Sequence, residues 1–126
     1  MKKIINTTNA PAPIGPYNQA VLSGNTLYTS GQIAFNPENN ELVLSNIEAE
    51  TKQVMHNLKA VLEAANMTFE HVVKSTIFIS NMDDFAQINT VYGGFFNEAN
   101  APARETVQVA RLPKNVNVEI SMIAVK

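Results

Sequence analysis

Between Asn46 and Ala65 the apolar residues Ile47, Val54, Met55, Leu58, Val61, Leu62 and Ala65 fall on one stripe of a 3.6-residue period. That spacing predicts an amphipathic helix. Ser45 followed by Glu48 makes a capping-box start, and Asn66 tolerates the left-handed conformation that ends a helix. A second helix is predicted over Asp84 to Asn97, from Phe85, Ile88, Val91, Tyr92, Phe95 and Phe96. It contains Gly93-Gly94, at a cost of about 1 kcal/mol each relative to Ala. Elsewhere the period shortens to two. Val116 to Val125 places Val116, Val118, Ile120, Met122 and Ala124 on one side, and Asn117, Glu119 and Ser121 on the other. Val72 to Ser80 sets Val73, Ser75, Ile77 and Ile79 against Val72, Lys74, Thr76 and Phe78, both faces apolar enough for a central strand. Glu105 to Val109, Lys3 to Asn6, Asn18 to Leu22 and Thr26 to Ser30 complete the strands, with Ser23-Gly24-Asn25 turning a hairpin.

The order β-β-β-α-β-α-β-β reads as α+β, one sheet with two helices packed on a single face. The other face needs a cover, and self-association is the simplest one. Composition sharpens this picture. The chain has 126 residues, 45% hydrophobic and 16% charged, which fits one globular domain over residues 1–126. The low charge is what a surface partly covered by copies of itself would carry. Net charge is −2 and the pI about 5.6. Lys2-Lys3 is the only adjacent basic pair, so the balance argues against a nucleic-acid partner. Cys is absent, which removes disulfides, thiolate metal sites and a Cys nucleophile. The start lacks the apolar core of a signal peptide and no run approaches a membrane span, so the expected location is the cytoplasm with no membrane contact.

Few residues offer chemistry. Arg104, entering a strand after Pro102-Ala103, is either a guanidinium fork for a carboxylate or phosphate, or a loop cation paired with Glu98 or Glu105. Glu119, between Val118 and Ile120, is either a paired rim carboxylate or a partly buried one able to exchange protons near neutral pH. In the turn Gly15-Pro16-Tyr17, the phenol of Tyr17 either covers a ligand or closes the core. Ser30-Gly31 ends a strand and can present backbone N–H groups to an anion or carbonyl, or simply turn the chain. Asn89, at the edge of the second helix's apolar stripe, can bond to a loop or to a ligand. No HxxxH, HExxH, paired Asp cluster, GxSxG or Walker-type loop occurs, so no metal or nucleotide triphosphate site is expected.

Taken together, several segments resemble the RidA family, also called YjgF/YER057c/UK114. Pro102-Ala103-Arg104, Val107 to Pro113 and Val118-Glu119-Ile120 are similar to its C-terminal signature. Gly15-Pro16-Tyr17-Asn18-Gln19-Ala20 resembles its GPYSQA turn, Tyr28-Thr29-Ser30-Gly31-Gln32 its YxSGQ strand, and Ile88 to Tyr92 its INxVY helix. The likeness runs through essentially the whole chain, in order. It implies a chorismate-mutase-like α+β domain, with a six-stranded mixed sheet and two helices on one face, assembled as a homotrimer with clefts between subunits. It implies hydrolysis of reactive enamines and imines, such as 2-aminoacrylate and related 2-imino acids from pyridoxal-phosphate dehydratases, to 2-oxo acids and ammonia. No cofactor and no metal are implied.

Carried onto this sequence, Arg104 grips the substrate carboxylate and Glu119 positions water and shuttles protons. Tyr17, Ser30, Gly31, Asn89 and Thr106 line the cleft and bond to substrate. Many relatives carry Ser-Cys where this chain has Glu105-Thr106, so thiolate chemistry is lost while the backbone N–H remains. Strand alternation sends Glu105 to the face of Val107, away from Arg104. Two other functions compete with the deaminase. One is a non-catalytic trimeric carboxylate-binding or regulatory protein, for which a second anion at Glu119 has no use. The other is an endoribonuclease or translation inhibitor, opposed by the pI and the lack of a His pair or basic stripe.

Overall fold

The computed structural model describes all residues, 1–126. Its elements are β1 (Lys2–Ile5), β2 (Ala20–Ser23), β3 (Thr26–Thr29), the short β4 (Phe35–Asn36) and β5 (Glu41–Leu42), α1 (Ile47–Ala64), β6 (Val72–Ile79), α2 (Phe85–Gly93), β7 (Ala103–Gln108) and β8 (Val118–Val125). Six strands form one sheet in the order β1-β2-β3-β8-β6-β7, and β4 pairs only with β5. The β6–β7 pair is parallel and the others antiparallel, so the sheet is mixed. Parallel neighbours need a crossover, and α2 supplies it.

Both helices cover one sheet face. Val54, Met55, Leu58, Val61 and Leu62 of α1 and Ile88 and Tyr92 of α2 join Leu27, Ile77, Ile79, Val118, Ile120 and Met122 in one buried cluster. The opposite face carries no helix. Ile4, Tyr28 and Val107 stay exposed, and Lys74 Nζ pairs with Glu105 Oε1 across β6 and β7 at 3.0 Å. No helix is long and apolar enough to cross a membrane.

Several boundaries differ from the sequence pattern, each for a local reason. Asn46, not Ser45, caps α1, its side chain accepting from Ala49 N. Asn66 closes that helix at φ 58° as expected. The second helix ends at Gly93, where Gly93-Gly94 outweighs the continuing aromatic spacing. A bulge between Val72 and Lys74 shifts the register, so Val72 faces the helices and Val73 is exposed. The last strand begins at Val118 rather than Val116, because Lys114 and Asn115 take left-handed backbone angles, φ 59° and 55°.

Candidate functional site

Strand register decides which side chains can meet. Arg104 on β7 stands opposite Ser75 of β6, and Thr106 opposite Ile77. Partners in register share a face, and Ser75 and Ile77 are buried beneath the helices. Arg104 and Thr106 therefore lie on the helix side, at the open edge of the sheet. There α2 presents Phe85, Asn89 and Tyr92, whose i, i+4, i+7 spacing puts them on one helix face. Arg104 Nη1 donates to Asn89 Oδ1 at 2.6 Å. Its guanidinium carbon sits 5.1 Å from the Tyr92 ring centroid and 5.6 Å from that of Phe85, within cation–π range. The Tyr92 hydroxyl donates to Ser75 Oγ at 2.8 Å, which fixes the ring behind the guanidinium.

Burial raises the Tyr92 pKa, while the Ser75 bond and the Arg104 charge oppose the rise, so the phenol stays neutral. Arg104 bonds to neither Glu98 nor Glu105. Glu105 points to the other face, with Lys74. A guanidinium has five N–H donors, so holding Asn89 leaves a fork facing solvent. The Thr106 hydroxyl, two residues along the same face, is buried without a hydrogen-bond partner. Such a group is costly until something pairs with it.

Glu119 lies on the opposite face. On β8 it pairs in register with Phe78, on the helix-free side. The backbone of Gly31 runs against it so closely that a Cβ there would sit 2.8 Å from Glu119 Cδ and Oε2. The approach is held by Gln32 N donating to Ile120 O at 2.8 Å and Ile120 N donating to Gln32 O at 3.1 Å. Half-buried, the Glu119 carboxyl has its pKa raised by loss of water around it. Gly31 also lines a cleft of about 310 Å³ with Ile14, Tyr17, Gln32, Phe35 and Pro113. The Tyr17 hydroxyl accepts from Ile14 N at 3.3 Å. Ser30 is already used by its own loop: its hydroxyl donates to Asn18 O and its N–H to Gln19 O.

The anticipated residues thus separate into two groups. Arg104, Asn89 and Thr106 stand at the sheet edge beneath α2; Glu119 and Gly31 stand on the far side, with Tyr17 sharing Gly31's cleft and Ser30 next to Gly31 in the chain. A family model described as endoribonuclease L-PSP, the YjgF/RidA family, matches residues 7–126. The chain is a RidA-family protein. It is 52% identical to a RutC family protein of Synechocystis, over 98% of this chain and 95% of that one. It is 49% identical to the 2-iminobutanoate/2-iminopropanoate deaminase of Escherichia coli, over 100% of this chain and 99% of that one. The crystal structure of E. coli TdcF with bound serine superposes with a TM-score of 0.93 at 44% identity, covering 98% of each chain.

In this RidA-family chain, sequence reasoning missed Phe85, Tyr92 and Ser75 as parts of the arginine's setting. The signal was present: Phe85, Asn89 and Tyr92 share a helix face, but their apolar members were assigned to the core alone. Asn89, expected in the cleft, holds Arg104 through its amide oxygen. No three His, Cys, Asp or Glu side chains gather into a metal-binding group.

Proposed function

We propose that the chain hydrolyses 2-imino acids, and the enamines that tautomerise to them, giving 2-oxo acids and ammonia. The observation that carries this reading is the placement of Arg104 and Glu119 on opposite faces of one sheet. A single copy cannot bring both to one small substrate. Two copies, packed edge against face, can. The exposed Tyr28, Val107 and Ile4 on the helix-free face support its being covered by further copies. A homotrimer with three such clefts satisfies both demands, and the 49% identity to an imine deaminase supports the chemistry.

In each cleft Arg104 of one copy grips the substrate carboxylate with its free fork, pre-aimed by Asn89, Tyr92 and Phe85. Glu119 of the next copy takes a proton from the water that attacks the imine carbon. The same carboxyl returns that proton to nitrogen, which gives a carbinolamine. It then moves the carbinolamine's hydroxyl proton to the amine, so that the C–N bond breaks, the C=O bond forms and ammonia leaves the 2-oxo acid. A half-desolvated carboxyl with a raised pKa suits this exchange better than a fully solvated one. The buried Thr106 hydroxyl, unpaired on the same face as Arg104, supports a polar contact to substrate there. Free imines hydrolyse readily, so the acceleration asked of these groups is modest. An endoribonuclease would need a basic path for the phosphate backbone, and the net charge of −2 gives it no general attraction.

The test is ammonia release from imines generated in place from alanine, 2-aminobutyrate and serine precursors, beside titration of 2-oxobutanoate. Accelerated release together with carboxylate binding that depends on Arg104 is expected. Release no faster than in buffer would overturn the proposal.

A further inference from the structure

One buried carboxylate is unused by this chemistry. Glu50 stands in the first turn of α1, fully buried, between Ile47 and Val54 on the apolar stripe. Packing alone would be served by Leu or Met at that position, since a buried charge must recover its lost hydration. No cation does so here, because the chain's one ion pair is Lys74–Glu105. Instead both carboxylate oxygens are occupied by the entry of β8. Oε2 accepts from Asn117 N at 2.7 Å and Val118 N at 3.2 Å, and Oε1 accepts from Asn117 Nδ2 at 2.7 Å. Asn117 is tied in turn to the end of β6: its carbonyl accepts from Ser80 N at 3.0 Å, and its Oδ1 from Ser80 Oγ at 3.2 Å.

We infer that Glu50 is a positioning residue, which sets Glu119 over Gly31 by clamping the backbone at Asn117 and Val118. The clamp acts one residue before Glu119. Just upstream, Asn115 and Lys114 hold left-handed angles; asparagine adopts this readily, but lysine keeps it only where the surroundings over-determine it. Arg111 Nε fixes that bend from one side by donating to Asn115 Oδ1 at 2.8 Å, and Glu50 fixes the chain on the other. Pro113 and Lys114, within the same bend, line the cleft beside Tyr17 and Gly31. Releasing the clamp lets strand entry and cleft wall relax together. Glu119 then leaves a position with no slack, because Gly31 lies directly against it.

The inference rests on Glu119 carrying proton transfer, and its test keeps the two claims apart. In the full chain, Glu50→Leu, Glu50→Gln, Asn117→Ala and Glu119→Gln are compared for kcat and KM with imine substrate and for 2-oxobutanoate affinity. Glu50→Leu should lower kcat about 10- to 100-fold while 2-oxobutanoate binding, set by Arg104, changes less than about twofold. Glu50→Gln should restore kcat to within about threefold. Its oxygen accepts both backbone N–H groups, and its amide donates to an Asn117 amide turned over to receive it. Asn117→Ala keeps the backbone bonds but loses both side-chain ties, so kcat should fall about three- to tenfold. It decides the matter if Glu50→Leu does not fold.

Wild-type kcat in a folded Glu50→Leu or Asn117→Ala, or a Glu50→Gln as slow as Glu50→Leu, would overturn the inference. So would a parallel loss of kcat and product binding. Normal turnover by Glu119→Gln would instead remove the proton-transfer role itself.

Discussion

The two faces of the sheet prepare their functional groups by different physics. At the open edge, Arg104 is exposed yet held in place, by an amide on one nitrogen and two aromatic rings at its carbon. Its charge needs no tuning, so what the fold supplies is direction. On the helix-free face, what the fold supplies to Glu119 is desolvation. A glycine backbone lies against the carboxyl and burial raises its pKa. A carboxylate grip asks for geometry and a proton exchanger asks for a tuned pKa. On the proposed reading each face meets one requirement, and neither is complete alone.

Substitutions separate the two faces by what they leave intact. The largest effect is expected from Glu119→Gln, which keeps size and hydrogen bonding but ends proton exchange. Turnover should fall on the order of 10²–10⁴-fold with 2-oxo acid binding retained. The pH profile should change with it. A carboxyl whose pKa is raised in the folded protein becomes the required base only above that raised value. Wild-type turnover, corrected for spontaneous hydrolysis, should therefore fall as pH drops through a value raised from the ordinary glutamate one, and Glu119→Gln should lose that limb. If the limb persists in the variant, another group titrates there.

Arg104→Lys keeps the charge and loses the planar fork, along with its seat on Tyr92 and Phe85. Turnover should fall about 10²–10³-fold, and here 2-oxobutanoate binding should weaken in step, with little change in unfolding temperature. Unchanged binding would place the carboxylate elsewhere.

Gly31→Ala sharpens the contrast on the other face. The atoms nearest the added methyl are Cγ, Cδ and Oε2 of the Glu119 side chain, so the fold should survive while the carboxyl is pushed aside. About a tenfold loss of kcat, with product binding unaltered, is expected from such a misplacement. The smallest effect belongs to Tyr92→Phe. The ring beneath Arg104 remains, but the Ser75 hydroxyl loses its partner. About 1 kcal/mol of stability should go, seen as a lower unfolding midpoint, with turnover within about twofold.

Much of this arrangement was legible in the sequence. The stripe of α1 and the alternation of β8 named the core faces directly. Alternation also sent Glu105 away from Arg104, where it meets Lys74. The bulge at Val73 was not legible, because Val72 and Val73 suit either face equally. Nor was the cap of α1, since Ser45 and Asn46 are both good caps and only the backbone angles choose between them. The deeper gap concerns the site. Each strand's pattern states which neighbours share a face within that strand. It does not say how β7 and β8 register through β6, and that register parts Arg104 from Glu119. Glu50 carried a signal that went unread, an acid on an otherwise apolar stripe.

The separation of Arg104 from Glu119 is tested most directly by subunit mixing. Arg104→Ala and Glu119→Gln chains, each expected to be nearly inactive alone, are co-refolded in equal amounts and assayed for imine hydrolysis. If each cleft draws Arg104 from one copy and Glu119 from the next, random mixed assemblies should regain wild-type halves in about one cleft in four, with activity to match. Activity no greater than the sum of the two parents would contradict a shared cleft.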